Sequence, residues 1–354
     1  MKNSRPGDAA PGGTPQPAAR SRRGTAGRVQ LAVSLAPLAA GLLAIVAVIG
    51  LIGFAVRSPQ PHDIPVGLVG PPAAEHQVSA EFGASAPGAF EFTSYASQAT
   101  ARAALDGRDV DAVLTVGPGR SELVVAGAAG AAIAGVITTA VSGAFRAQGT
   151  PLTVQTVHPF APGDPQGLIL FFAVLAVLIA SLLAGALVGL RSGTGWRARL
   201  AILAAYGLVA GPVAMSMEAW VAASFGSGFW SAAGVLTLAA AAVATATAGL
   251  ARLLGAPGVA LAAVVLVLLD LISSGGPLGT PLLPAFYRWL APGMPAGQLY
   301  SALRGALFFN DAALAVPVLV LAAWLAGGLA LLSLAGIIRP VRGPRPSQTP
   351  SALA

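Results

Sequence analysis

The sequence predicts an all-α polytopic membrane protein carrying an inserted α/β domain. Six transmembrane helices with both termini inside hold an extracytoplasmic domain between the first and the second. Three observations lead there. Of 354 residues, 55% are hydrophobic and only 9% charged, against about 25% charged in a soluble domain. Apolar runs long enough to cross about 30 Å of hydrocarbon recur along the chain. The basic residues gather between the runs that face the cytoplasm in this arrangement.

Five apolar runs are clear: 29–56, 167–190, 200–223, 229–251 and 312–338. A sixth, 257–273, is shorter and stays apolar up to Asp270. Segment 126–145, "AGAAGAAIAGVITTAVSGAF", has comparable length but consists mostly of Ala, Gly, Ser and Thr. It follows a charged stretch with Asp106, Arg108, Asp109 and Asp111. It reads as a buried helix of a water-facing domain.

Charge placement tests that choice. With six spans the inner segments hold Lys2, Arg5, Arg20, Arg22, Arg23 and Arg28, then Arg191, Arg197 and Arg199, then Arg252, then Arg339, Arg342 and Arg345. They hold a single acid, Asp8. A seventh span at 126–145 would move Arg191, Arg197 and Arg199 outside, against the positive-inside rule. Residues 1–28 are then a disordered basic cytoplasmic arm, rich in Pro, Gly and Ala. Residues 339–354 are a cytoplasmic tail. The twin arginines at 22–23 suggest an export signal. The following apolar run far exceeds a signal h-region, so 29–56 reads as an uncleaved anchor with a basic inner flank.

The long segment 57–166 has a different texture. "IPVGLVG" (64–70) reads as a buried strand and "FEFTSY" (90–95) alternates like a second. "ASQATARAALDG" (96–107) reads as a helix ending at Gly107. "VDAVLTVG" (110–117) and "ELVVAG" (122–127) form a hairpin. A helix over 128–148 and a strand "LTVQTV" (152–157) complete a domain of a size that supports one core. The strand order is not legible.

Three stretches carry a family resemblance: "ARAALDGRDVDAVLTVGPG" (101–119), "VHPFAPGDPQGLILFF" (157–172) and "APGMPAGQLYSALRGALFF" (291–309). With the layout of one span, a large outer domain and five further spans, the chain over roughly 30–338 resembles ABC type-2 transporter permeases with an extended outer domain. It is most similar to the actinobacterial group related to phage-infection (YhgE/Pip-like) proteins. The resemblance implies an exporter permease in a bacterial plasma membrane, working with an ABC ATPase as a homo- or heterodimer of permease subunits. It says nothing of the substrate.

That ATPase has to be a separate subunit. A P-loop needs a lysine after its glycine-rich turn, and Lys2 is the only lysine. The inner loops 191–199 and 252–256 are too short for a domain. Loop 191–199, "RSGTGWRAR", is the candidate ATPase contact through Arg191, Trp196, Arg197 and Arg199. Its alternative is a plain positive-inside anchor with an interfacial tryptophan.

Other chemistries find no support. There is no cysteine, no H-E-x-x-H and no G-x-S-x-G. His62, His76 and His158 are scattered and suggest no metal site. No cofactor and no enzymatic activity is expected. The net charge of +7 lies mostly in the inner arms and suits anionic lipid head groups rather than nucleic acid.

Ionisable groups in or beside apolar spans are functional candidates by default. Glu218 lies late in the third span near Trp220, and Asp270 near the outer end of the fifth. They either line a translocation path or are solvated at the outer interface. Segment 274–311 must begin and end outside, so it is re-entrant or interfacial. Within it a helix over 298–309 puts Leu299, Leu303 and Leu307 on one face. Tyr300, Arg304, Phe308 and Asp311 share the adjacent one. Arg304 and Asp311 join the candidates for the path or its gate. The alternative in a different class is a non-transporting envelope or secretion-accessory protein whose outer domain binds a partner.

Overall fold

The computed structural model describes residues 41–117, 119–224 and 226–338. The basic arm 1–28, the first part of the 29–56 run and the tail 339–354 lie outside the described residues. Two compact units divide the chain, Met1–Gly50 and Leu51–Ala354. In the first, residues 41–50 are helical. They begin helix α1, Gly41–Val56.

The α/β domain follows. Its strands are β1 (Ile64–Val69), β2 (Phe90–Ser94), β3 (Ala112–Gly117), β4 (Arg120–Ala126) and β5 (Leu152–Val157). They form one five-stranded sheet in the order β2-β1-β3-β4-β5. β1 runs parallel to β2 and β3, β4 is antiparallel to β3, and β5 is parallel to β4. The mixed sheet follows from the connections. Only β3 and β4 are joined tightly enough for a hairpin, and parallel neighbours need longer crossovers.

Three helices supply those crossovers. α2 (Pro72–Ser85) links β1 to β2, α3 (Gln98–Asp106) links β2 to β3, and α4 (Ala131–Ala147) links β4 to β5. Ser97 starts α3 with a capping box. Its hydroxyl accepts the Thr100 N–H at 3.2 Å, and the Thr100 hydroxyl accepts the Ser97 N–H at 3.3 Å. Sequence reading missed α2. It buries only Val78 and Phe82, too few apolar positions to reveal a helical stride.

Strand alternation sends side chains to two faces. On one, Val66, Leu68, Leu114, Leu123 and Val125 pack under α2 and α4. Helix α4 meets them with Ile133, Ile137, Val141 and Phe145, one residue per turn. Segment 126–145 is therefore a domain helix on a sheet. On the other face, Val113 and Val124 join Leu105 of α3 in a core that continues into the helical bundle.

Among the described residues five helical stretches are long and apolar enough to cross a membrane, as expected of a multi-pass membrane protein. They are α5 (Leu168–Leu190), α6 (Trp196–Ala222), α7 (Phe229–Leu254), a continuous stretch Ala256–Ser273, and a last helix Ala315–Ile338. The stretch Ala256–Ser273 comprises α8 (Ala256–Ala263), a π-helical segment Val264–Leu269 and α9 (Asp270–Ser273). α10 (Ala285–Leu290) and α11 (Pro295–Phe308) follow, and the last helix is α12.

Helix α7 is the most buried of the five. It is surrounded by α5, α6 and α12. Glycines let these helices approach closely. A Cβ on Gly189 of α5 would stand 2.7 Å from the Ala248 carbonyl oxygen, and one on Gly211 of α6 2.5 Å from that of Ala233. One on Gly328 of α12 would stand 2.5 Å from the Ala246 nitrogen. Gly185, one turn before Gly189, lies equally close to Ala244.

Candidate functional site

Segment 274–311 contains no helix long enough to span. Its main element, α11, starts at Pro295, a turn earlier than the 298–309 expected. Helix α11 lies between the α/β domain and the long helices. Leu299 and Leu303 are fully buried in the core shared with Val113 and Val124 on one side and with α5 and α7 on the other. It is one element through which the sheet and the bundle meet; Leu282, which packs in the core under α4, is another contact.

Polar contacts line this seam. Arg304 Nη1 donates to the Ala129 carbonyl, and to that of Ala128 at 3.5 Å. Both belong to the short 3₁₀ turn Gly127–Ala129 between β4 and α4. The guanidinium also lies 4.9 Å from the centre of the Tyr300 ring, one turn earlier on α11. From the domain side, Arg108 donates to the Ser301 carbonyl at 2.8 Å and to its hydroxyl at 3.0 Å. Arg108 sits at φ 66°, a left-handed conformation held in the tight passage from α3 to β3.

Asp111 completes the charge pattern. Burial pushes its carboxyl up to about 6, against the pull of Arg304 and then Arg108. Burial brings the Arg108 guanidinium down to about 10, with the Arg304 charge as the second cause. Two cations thus share one reluctant anion.

The end of α11 is held by His158, which follows β5. Its Nδ1 lies 2.8 Å from the Phe308 carbonyl oxygen and its Nε2 2.7 Å from Asp106 Oδ1. The imidazole stacks on Phe309 at 4.6 Å. Arg108 meets the same ring at 5.3 Å. Nearer the middle, the Tyr300 hydroxyl donates to the Gly167 carbonyl at 3.2 Å. Gly167 has φ 70°, and a Cβ there would stand 2.6 Å from the Phe160 ring. Only glycine fits both demands.

Two further carboxylates anchor this region. Asp164 accepts the N–H groups of Leu168 at 2.7 Å and Leu170 at 3.0 Å, capping the start of α5. Asp270 accepts the Ala296 N–H at 2.7 Å through Oδ1. It supplies α11 with the cap that Met294 lacks. Its Oδ2 is buried without a partner.

The sequence candidates fall in different places. Arg304 and Asp270 both act on α11, near its end and at its start. Asp311 is exposed and does not pair with Arg304. Glu218 stands apart at the end of α6, accepting the Ser224 hydroxyl at 2.6 Å. Solvation at an interface does not describe Glu218 or Asp270: they are 4% and 0% exposed. Of the loop 191–199 group, Arg191, Trp196 and Arg197 are exposed. Arg199 is not. It turns inward, donating to the carbonyls of Val188, at 3.1 Å, and Arg191. It caps the end of α5 with Nε and Nη2.

Sequence reading missed Arg108, Asp111, Ser301 and His158 as members of this site. The signal available was the dense charge of 106–111 beside a domain helix. Among the described residues no group of His, Asp and Glu could hold a metal ion. Neither a protein-family model nor a curated protein matches this chain.

Proposed function

We propose that the protein is the permease subunit of an ABC-type exporter, energised by a separate ATPase subunit and working as a dimer in a bacterial plasma membrane. The termini are cytoplasmic and the α/β domain faces out. The observation that carries this reading is the position of α11. A non-spanning helix built into both the domain and the bundle can transmit movement from one to the other. The family resemblance of the stretch 291–309 and the impossibility of a P-loop in this chain support it further. Arg304 and Asp270 are then the groups that set the position of α11. Arg191, Trp196 and Arg197 form the exposed face offered to the ATPase.

Copurification tests the reading. The full chain, tagged at native abundance and solubilised in mild detergent, is expected to bring down a P-loop ATPase subunit. The assembly is expected to hydrolyse ATP. Repeated purification without such a subunit overturns the exporter and leaves a non-transporting envelope protein whose α/β domain binds a partner.

A further inference from the structure

The seam between the α/β domain and α11 holds two guanidinium groups, neither of them in a close ion pair. Arg108 and Arg304 donate to neutral oxygens: the carbonyl and hydroxyl of Ser301 for one, the carbonyls of Ala128 and Ala129 for the other. Arg304 Nε is buried and has no partner at all. Asp111 is a carboxylate whose charge acts on both guanidinium groups. It forms a close ion pair with neither. Two like charges partly removed from water without a close ion pair are an unfavourable arrangement, and an anion bound to both relieves it.

We propose that Arg108 and Arg304 form a binding site for a phosphate-class anion at this seam. The guanidinium fork matches the tetrahedral oxygens of a phosphate. The Ser301 hydroxyl accepts from Arg108 and keeps its own proton to donate. Two guanidinium groups and a hydroxyl, drawn from two structural layers, suit phosphate better than a two-oxygen carboxylate. Both arginines are only partly buried, so the anion can enter from the rim of the seam. Its source is a lipid head-group phosphodiester or a soluble phosphate. The site is a property of the chain and does not depend on whether the protein moves cargo.

The test uses the purified, delipidated full chain in a non-ionic detergent. Its thermal midpoint is followed against inorganic phosphate at low millimolar concentration, with chloride matching the ionic strength. A second arm uses short-chain phosphatidylglycerol. A saturable rise with phosphate assigns a soluble anion. A rise with the lipid alone assigns the head group. In either arm Arg108→Gln and Arg304→Gln should weaken the apparent affinity at least about tenfold, the loss of one charge-assisted hydrogen bond. No saturable response in either arm overturns the site, and so does a response that both variants retain in full. If those variants do not accumulate, Asp111→Asn decides. Removing the competing negative charge should tighten apparent affinity severalfold, and unchanged or weaker affinity overturns the proposal.

Discussion

Asp270 caps a helix that begins well beyond it in the chain, its Oδ1 accepting the Ala296 N–H at 2.7 Å. The bond joins the end of a long apolar stretch to the start of α11. Asp270→Asn keeps the acceptor and removes the charge from a carboxylate whose second oxygen is unpartnered. Asp270→Ala removes the cap. The Asn variant should therefore exceed the Ala variant in stability by about 1 kcal/mol, the usual worth of a helix cap. Thermal unfolding in detergent checks this. Equal midpoints would mean that the cap contributes nothing.

Arg304 spans two backbone carbonyls with one guanidinium arm. Arg304→Lys offers a compact ammonium in place of a fork and should not restore the seam. Both Arg304→Lys and Arg304→Ala are expected to lose about 1–2 kcal/mol and to raise hydrogen exchange at 127–131 and along α11. Exchange mass spectrometry reads this directly. Protection in the Lys variant equal to wild type would show that charge alone suffices.

Asp111 gives the protein a pH dependence of definite sign. Its carboxyl is raised by burial from 3.8 to about 6, so between those values the folded state holds a proton that the unfolded state releases. Stability from this group is present below the lower value and is lost as pH rises through about 6. Asp111→Asn should remove that decline and raise the midpoint at pH 7. Two pK units at 1.36 kcal/mol each bound the gain at about 3 kcal/mol. The comparison is the difference between variant and wild type at pH 5 and pH 7. A difference that does not grow with pH would count against a buried, reluctant Asp111.

Neighbouring glycines on α12 make a paired control. A Cβ on Gly328 would stand 2.5 Å from Ala246, whereas one on Gly327 meets nothing within 4 Å. Gly328→Ala should push α12 away from α7 and destabilise by about 1–3 kcal/mol. Gly327→Ala should be neutral or stabilise by up to about 1 kcal/mol, because alanine favours the helix. The fraction remaining monodisperse after heating separates the two. Equal behaviour would remove close packing as the reason for Gly328.

Topology has its own probe. The chain has no cysteine, and Gln77 is exposed on α2. Gln77→Cys should react with a membrane-impermeant thiol reagent on intact cells. Protection until the cells are opened would invert the proposed orientation.

The elements legible in the sequence are those whose side chains carry a periodic signal. Ile133, Ile137, Val141 and Phe145 recur every fourth residue and mark α4. Alternation in "FEFTS" marks β2. The glycine pairs Gly185/Gly189 and Gly207/Gly211 mark close helix approaches that the structure contains. Much of the candidate site was hidden for a different reason. Arg304 bonds to carbonyls of Ala128 and Ala129, groups that every residue type carries. Arg108 meets Ser301 across 193 positions, a distance at which no local pattern reports. Arg199 illustrates the converse: its charge reads as an outward contact, yet its side chain is used to close a helix end.

The core that the sheet shares with α11 bears on how the protein is made. Val113 and Val124 leave the ribosome long before Leu299 and Leu303, which complete the core they belong to. At roughly 5–20 residues per second the gap lasts on the order of ten seconds. Throughout it the core on that face of the sheet holds α3 but lacks α11, while four long apolar helices are still to be placed. The α/β domain is thus no self-sufficient module that folds and waits. Cut free as residues 60–160, it keeps that core incomplete and should associate or bind a chaperone. Biogenesis of this protein closes backwards, its late-made helix sealing a surface laid down early.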